Sequence, residues 1–483
     1  MVMYNGILMG TRVLKYSLCS LVLMVSGQAT GEDLWDVYRL ALENDARYLA
    51  AQANYEAAKI DLPLARSIFR PSVNGFGTLG QERSDISGSN VTSDNSQIGA
   101  GLDLLLFDRS RRIGISQAEL LVEDALIQLD IERDLLTLRV SEAYFNLLAS
   151  RDAKEVARLQ RITIQRQLDL AEERLDVGLG TRTDLFDARA RLEQANADVI
   201  AADILINNAR QALIEIINVT PKTIATLEED SPLDLPSPND IDHWTNLART
   251  NNLRVQSEGL NLLVASQEVD RQRAGRSPSV NLGADYSYNN RDIGFGTGED
   301  EYNSTGIGLS LNWPVYQGGS IKLRTQQAGL RYNAAEQLLE SARRRATSDS
   351  TTAFLSVTSG ITQVEALAEA IVAGESALQA KEEGFSAGLT TNLDVLDAQR
   401  DLSRSRVDYL RARYNYIISL LELEQAAGDL GDEDIQYINE WLGENNSPYR
   451  DDNAFGEIGA IDIESETMND STSSQQSGST ATE

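Results

Sequence analysis

Cysteine and histidine are almost absent from this 483-residue chain, which holds one of each, Cys19 and His243. That leaves no pool for a Cys/His metal centre, a disulfide framework or a Cys–His catalytic pair. Cations are in deficit as well: 43 Lys and Arg stand against 73 Asp and Glu, a formal charge of −30. Neutralising the phosphates of nucleic acid requires the opposite balance, so no nucleic-acid partner is expected, and a surface or lumen that favours cations fits better. Proline is scarce, with nine in all. The glycines form no phosphate loop, and the Asp-rich motifs lack a nucleophile or metal partner, so neither an enzyme nor a cofactor is expected. Beyond the N-terminus no run approaches 18 consecutive apolar residues, so any passage through a membrane must use strands.

The N-terminus carries Arg12 and Lys15, an uncharged apolar run from Tyr16 to Gly27, and small residues around Gly27-Gln28-Ala29. This is the pattern of a secretory signal peptide ending near residue 29, and the run is too short to cross a bilayer as a helix.

What the chain does have is an internal duplication. Leu40-Ala41 and Asn44 recur as Leu247-Ala248 and Asn251, and Pro71-Ser72-Val73-Asn74 recurs as Pro278-Ser279-Val280-Asn281. Most specific is Gly-Leu-x-Thr-x-x-Asp-x-x-Asp-Ala, at 178–188 and again at 388–398. The expected organisation is a signal peptide (1–29), a first repeat (30–220), a proline-rich linker or equatorial segment (221–240), a second repeat (241–428) and an acidic C-terminal tail (429–483) that is partly disordered or loosely attached.

Each repeat contains a very long helical stretch. From Ile115 to Val177 there is no glycine or proline, enough for about 95 Å of helix. Its apolar positions fall three and four apart, as in Leu135 with Leu138 and Ala143 with Leu147, so it needs partner helices. Ser320 to Glu383 is the second copy, and returning helices are expected over roughly Thr183 to Ile217 and Leu393 to Ala427. Asp33 to Phe69 and Ile241 to Ala274 form a third helical stretch per repeat, with Pro63 predicting a kink or break in the first.

Between these helices the period changes from 3.6 to 2. In Ser279 to Asn289, Val280, Leu282, Ala284, Tyr286 and Tyr288 alternate with polar residues or glycine, and Ile307, Leu309, Leu311, Trp313 and Val315 do the same in the neighbouring segment. Ile98 to Leu106 and Ser72 to Gln81 are the first-repeat counterparts. Each segment has about ten residues, the length that crosses a bilayer as a tilted strand. Gly- and Asp-rich loops, Ser84 to Ser96 and Asn290 to Ser304, are expected to join each pair. Two hairpins cannot close a barrel, and an open edge in lipid leaves backbone groups unpaired, so such a protomer must associate. A soluble sandwich with inward apolar faces is the competing reading of the strands alone.

Leu311-Asn312-Trp313-Pro314-Val315-Tyr316-Gln317-Gly318-Gly319, then Gly388-Leu389-Thr390-Thr391-Asn392-Leu393-Asp394, then Ala412-Arg413-Tyr414-Asn415-Tyr416 closely resemble the TolC outer-membrane efflux proteins, and the likeness runs from about Asp33 to Asp434. The resemblance implies an α+β membrane protein. Three chains would form one 12-stranded outer-membrane β-barrel, four strands per protomer, continued by a long periplasmic α-helical barrel. It also implies a homotrimer in contact with outer-membrane lipid. Its partners would be a periplasmic adaptor (membrane fusion) protein and an inner-membrane pump of RND, ABC or MFS type, and its cargo drugs, toxic small molecules or secreted proteins.

The duplicated motif joins each very long helix to its return. Thr181 and Thr391, three residues before Asp184 and Asp394, suit helix capping, while Asp187 and Asp397 lie one turn further in, beyond what a cap needs. By resemblance, Asp394 and Asp397 are the carboxylates that ring a closed periplasmic entrance, where crowding would raise some pKa values and attract polyvalent cations. The resemblance also implies a latch to which a Thr-Asp pair contributes, matched by Thr183 and Asp184, with Asp187 beside them. The family's inner-hairpin Tyr and Arg are replaced here by Phe385 and Thr390, which directs the latch to another cation, for which Arg182 is the candidate. A soluble periplasmic coiled-coil adaptor is the alternative function; release by osmotic shock would favour it, and heat-modifiable oligomers in the outer-membrane fraction would favour the duct.

Overall fold

Side-chain caps decide how each repeat begins. The computed structural model describes residues 32–443 apart from 87–88, 222, 229 and 294–298; the expected signal peptide and residues 444–483 of the expected tail lie outside them. The stretch expected as one helix is two, α1 (Leu34–Asn44) and α2 (Ala46–Ser67), and the break falls at Asp45, whose carboxylate accepts from Tyr48 N at 2.8 Å. Asn252 performs the same switch between α5 (Ile241–Asn251) and α6 (Leu253–Ala274). Pro63, by contrast, breaks nothing: α2 runs through it. The residue is exposed and α2 buries no side chain, so water satisfies the carbonyl that the proline leaves free.

After α2 come β1 (Ser72–Ile86), β2 (Ser89–Phe107), α3 (Arg109–Asp176) and α4 (Arg182–Ile217). After a short β3 (Thr226–Leu227), α5 and α6, the same order recurs as β4 (Ser279–Ile293), β5 (Glu299–Asn312), α7 (Ser320–Ser386) and α8 (Asn392–Ala427). α3 has 68 residues and α7 has 67, about 100 Å each. α3 starts earlier than its glycine-free run because Asp108 caps it, accepting from Arg111 N at 3.0 Å; one internal glycine, Gly114, costs less than the cap and the turns beyond it return.

The four long strands form one antiparallel sheet in the order β1-β2-β4-β5. They have 14 to 19 residues rather than about ten, because the expected loops are largely paired: Arg83 lies opposite Thr92, and Tyr288 opposite Asn303. The register separates the faces row by row. Val73, Leu102, Ala284 and Ile307 share one row across the sheet, and Asn74, Gly101, Asp285 and Gly306 share the next. One face is therefore apolar and open, with Ile307 81% and Leu309 68% exposed, while the other carries Asp103, Asp285 and glycines. Neither β1 nor β5 has a partner on its outer edge among the described residues.

The main core lies at mid-length of the long helices. Leu136, Tyr144, Phe145 and Leu148 of α3 meet Val357 of α7, Leu213 and Ile217 of α4, and Ile417 and Leu421 of α8. Tyrosines tie the linker to it: Tyr144 OH donates to the Ala225 carbonyl at 2.9 Å, and Tyr416 OH to the Asp234 carbonyl at 2.8 Å. The expected acidic tail is not loose at its start. Residues 432–443 form α9 (Asp432–Asn439) and β6 (Leu442–Gly443), β6 pairs with β3, and Ile435, Ile438 and Trp441 are buried. Asp432 accepts from Arg133 at 2.7 Å, and the Asn439 side chain bonds Asp33 and Trp35. Acidic composition concealed an amphipathic turn whose apolar positions recur at i, i+3 and i+6. Trp441→Ala is expected to cost about 3–5 kcal/mol, read as a lower thermal midpoint of the detergent-solubilised protein; an unchanged midpoint would mean that this segment only decorates the core.

Candidate functional site

At the ends of α3 and α7 furthest from the sheet, two turns of the same construction reverse the chain. Gly178 (φ +76°) and Gly388 (φ +75°) follow the helix ends in the left-handed region, which glycine enters without a Cβ penalty. Leu179 N then donates to Arg174 O, and Leu389 N to Gly384 O. Gly180 has a second reason to be glycine, because a Cβ there would stand 2.9 Å from Leu175 N. Two capping boxes start the returning helices: Thr181 Oγ1 lies 2.7 Å from Asp184 and accepts from Asp184 N, and Thr391 Oγ1 lies 2.6 Å from Asp394 and accepts from Asp394 N. The hydroxyls that engage Asp184 and Asp394 are thus those of Thr181 and Thr391, while Thr183 points to solvent.

Asp394 carries more than a cap. Lys381 Nζ lies 3.6 Å away. The Thr391 hydroxyl and N–H, then Lys381, hold its carboxyl below the ordinary carboxylate range. Within one protomer the local environment therefore acts against the rise expected for a crowded ring. A depressed pKa contributes stability above the unfolded-state value and loses it as pH falls through the folded one. Thr391→Ala is expected to make amide exchange in residues 391–395 several-fold faster at neutral pH and to shrink the difference between neutral and acid conditions; identical protection in both proteins would dismiss the cap.

Asp397 joins its own helix to the neighbouring hairpin. It accepts from Arg191 of α4 at 2.9 Å and sits 3.2 Å from Arg400. Beside it Leu396 packs with Ile164 and Ala195, so the ion pair rests on an apolar contact between α8 and the α3–α4 hairpin. A second link lies between the two long helices: the Arg174 guanidinium stands 4.5 Å from the Phe385 ring centroid. Phe385 is thus held by a cation on its face, although it has no hydroxyl to donate. Thr390 turns inward and donates to the Lys381 carbonyl at 3.0 Å. Arg182, Thr183 and Asp187 make no side-chain hydrogen bond or ion pair among the described residues. The tips expose Leu179 (75%), Leu389 (82%) and Phe186 (61%).

Sequence reasoning missed Arg191 and Arg174. Arg191 lies four residues after Asp187 and reads as an intrahelical partner to it; the inter-helix crossing that swings it to Asp397 is a tertiary fact. A signal was available in the duplication, because the second-repeat position equivalent to Arg191 is Asp401. Where one copy carries a cation and the other an anion, the two hairpins are electrostatically complementary.

A sheet with one apolar face and two open edges, continued by two hairpins about 100 Å long, defines the protomer of a membrane channel that reaches far beyond the bilayer. The chain belongs to the outer membrane efflux protein family, whose profile matches residues 37–219 and 244–429. It is 31% identical over 422 residues to Outer membrane protein TolC of Vibrio cholerae, covering 86% of this chain and 95% of that one. Identity to Outer membrane protein TolC of Escherichia coli K12 is 30% over 434 residues, covering 86% of each. The solved structure of CusC, a transmembrane channel, matches with a TM-score of 0.72 at 19% identity over 82% of this chain and 92% of that one. This protein is an outer-membrane export channel that extends into the periplasm.

Proposed function

We propose that three copies close into a passive conduit, their four-stranded sheets making one twelve-stranded barrel and their long helices one tunnel, and that the paired tips form its gated periplasmic entrance. The observation that carries this reading is the pair of unpaired edges, β1 and β5, on a sheet whose apolar face is exposed. In lipid, each edge finds hydrogen bonds only on the next copy. No catalytic step is required of it. An inner-membrane pump of RND, ABC or MFS type loads it through a periplasmic adaptor, and the exposed Leu179 and Leu389 at the tips suit contact with that adaptor. The cargo is a drug, a toxic small molecule or a secreted protein.

In this assembly Asp394 and Asp397 from three protomers line the entrance, and two contacts hold the inner hairpin (α7–α8) against the outer one (α3–α4). These are Arg191 with Asp397 and Arg174 with Phe385. They replace the Tyr and Arg that the family uses, and they leave Arg182 free of that role. Single-channel recording in planar bilayers tests the reading: a cation-selective pore is expected, blocked by multivalent cations from one side only, with the block lost in Asp394→Ala/Asp397→Ala. Block that persists in the double variant would remove the carboxylates from the entrance, and absence of any pore would remove the conduit.

A further inference from the structure

At the helix-side ends of the four long strands, charge runs opposite to the rest of the molecule. The ten residues flanking each strand on that side (62–71, 108–117, 269–278 and 313–322) hold nine Lys or Arg and two Asp, whereas the strands hold nine Asp or Glu and two Arg. Both flanking acids are occupied, Asp108 as the cap of α3 and Asp270 by Arg273 at 3.2 Å. Arg70, Arg109, Arg112, Arg276 and Lys322 are exposed.

Register shows which face this collar borders. Phe107, Val280 and Leu311 form the last row of the apolar face, and the Arg112 guanidinium lies 5.3 Å from the Phe107 ring centroid. Two residues beyond Leu311, Trp313 is 61% exposed and donates its Nε1–H to the Arg276 carbonyl at 3.2 Å. Apolar rows thus end in an exposed indole and an arginine laid on an aromatic ring. That sequence of chemistries, apolar then aromatic then cationic, is the profile of a bilayer from its hydrocarbon to its headgroups.

We propose that this collar binds the phosphate groups of anionic phospholipids in the leaflet nearest the helices, and so sets the depth at which the sheet is seated. The inference rests on the sheet lying in a bilayer. Arginine suits the task because its planar fork bonds phosphate bidentately while its face stacks on an aromatic ring, as Arg112 does on Phe107. Arg66, Arg271 and Arg273 are paired with Glu119, Glu268 and Asp270, but the other six cations of the collar have no ion-pair partner among the described residues, and headgroup phosphates supply the missing charge.

Trp313 provides the readout, because Trp35, Trp244 and Trp441 belong to the mid-helix core. The full-length protein is reconstituted in phosphatidylcholine vesicles containing either brominated phosphatidylcholine or brominated phosphatidylglycerol at equal fraction. Quenching of Trp313 is expected to favour the anionic lipid about fivefold at low salt, with the preference falling as salt rises. It is expected to vanish in R112Q/R276Q and to survive in R112K/R276K. Equal quenching by the two lipids in the unaltered protein overturns the collar even if the variants fail to fold. No quenching by either lipid overturns the bilayer seating itself, so the two failures are distinct. An unaltered protein indifferent to lipid, together with loss of the oligomer in R112Q/R276Q, would assign these arginines to a neighbouring copy and also overturns the proposal.

Discussion

Arg191→Ala is expected to raise the conductance of the channel in planar bilayers while leaving its oligomer intact. The guanidinium is 2.9 Å from Asp397, with side-chain exposures of 34% and 39% for the pair. Partial exposure limits such a pair to about 0.5–1 kcal/mol. Three copies acting on one entrance multiply this to about 1.5–3 kcal/mol, or about 10- to 150-fold in the ratio of open to closed channels. Adding Arg174→Ala removes the cation from the Phe385 ring and moves the ratio further. Arg182→Ala is the internal control: it touches neither contact, and its conductance should match the unaltered protein. High salt should imitate Arg191→Ala in part, since half-exposed pairs are screened. A rise in Arg182→Ala with none in Arg191→Ala would return the latch to Arg182.

Ile307→Arg should abolish the assembled protein in the outer membrane, and Ser304→Arg should not. Both residues lie on β5, Ile307 in the apolar row with Ala284 and Ser304 opposite Ser287 on the polar face. A cation on the lipid face near the bilayer midplane costs about 2–4 kcal/mol. Three protomers insert together, so the total reaches about 6–12 kcal/mol, comparable with the whole stability of a domain. On the opposite face the same cation meets water. Heat-modifiable oligomers counted in isolated outer membranes decide the matter: equal yields of the two variants would mean that the register does not assign the faces as described here.

The period of the apolar residues was enough to mark both hairpins and all four strands, because alternation and 3.6-residue spacing are local properties. Val280, Leu282 and Ala284 announce a strand face wherever they are placed. Strand ends were less legible. The polar stretches 84–96 and 290–304 carry no apolar alternation, and the pairing of their described residues comes from the hairpin partner opposite them. Pro63 misled for a related reason: whether a proline breaks a helix depends on whether its freed carbonyl can reach water, and exposure is not written locally. The acidic segment after Gly428 hid Ile435, Ile438 and Trp441 among charges, and only the core that receives them makes them structural.

At the tips the division is sharper. The sequence alone determined the turns, since Gly178, Gly388, Thr181, Asp184, Thr391 and Asp394 meet their turn and capping partners within four residues, over distances that the chain itself enforces. Tertiary structure alone decided what holds the two hairpins together. Arg191 and Asp397 are separated by 206 residues, and Arg174 and Phe385 by 211. Charge and ring type make such pairs possible, but their choice of partner follows from how α3 and α4 pack on α7 and α8, where helix packing outweighs neighbourhood along the chain.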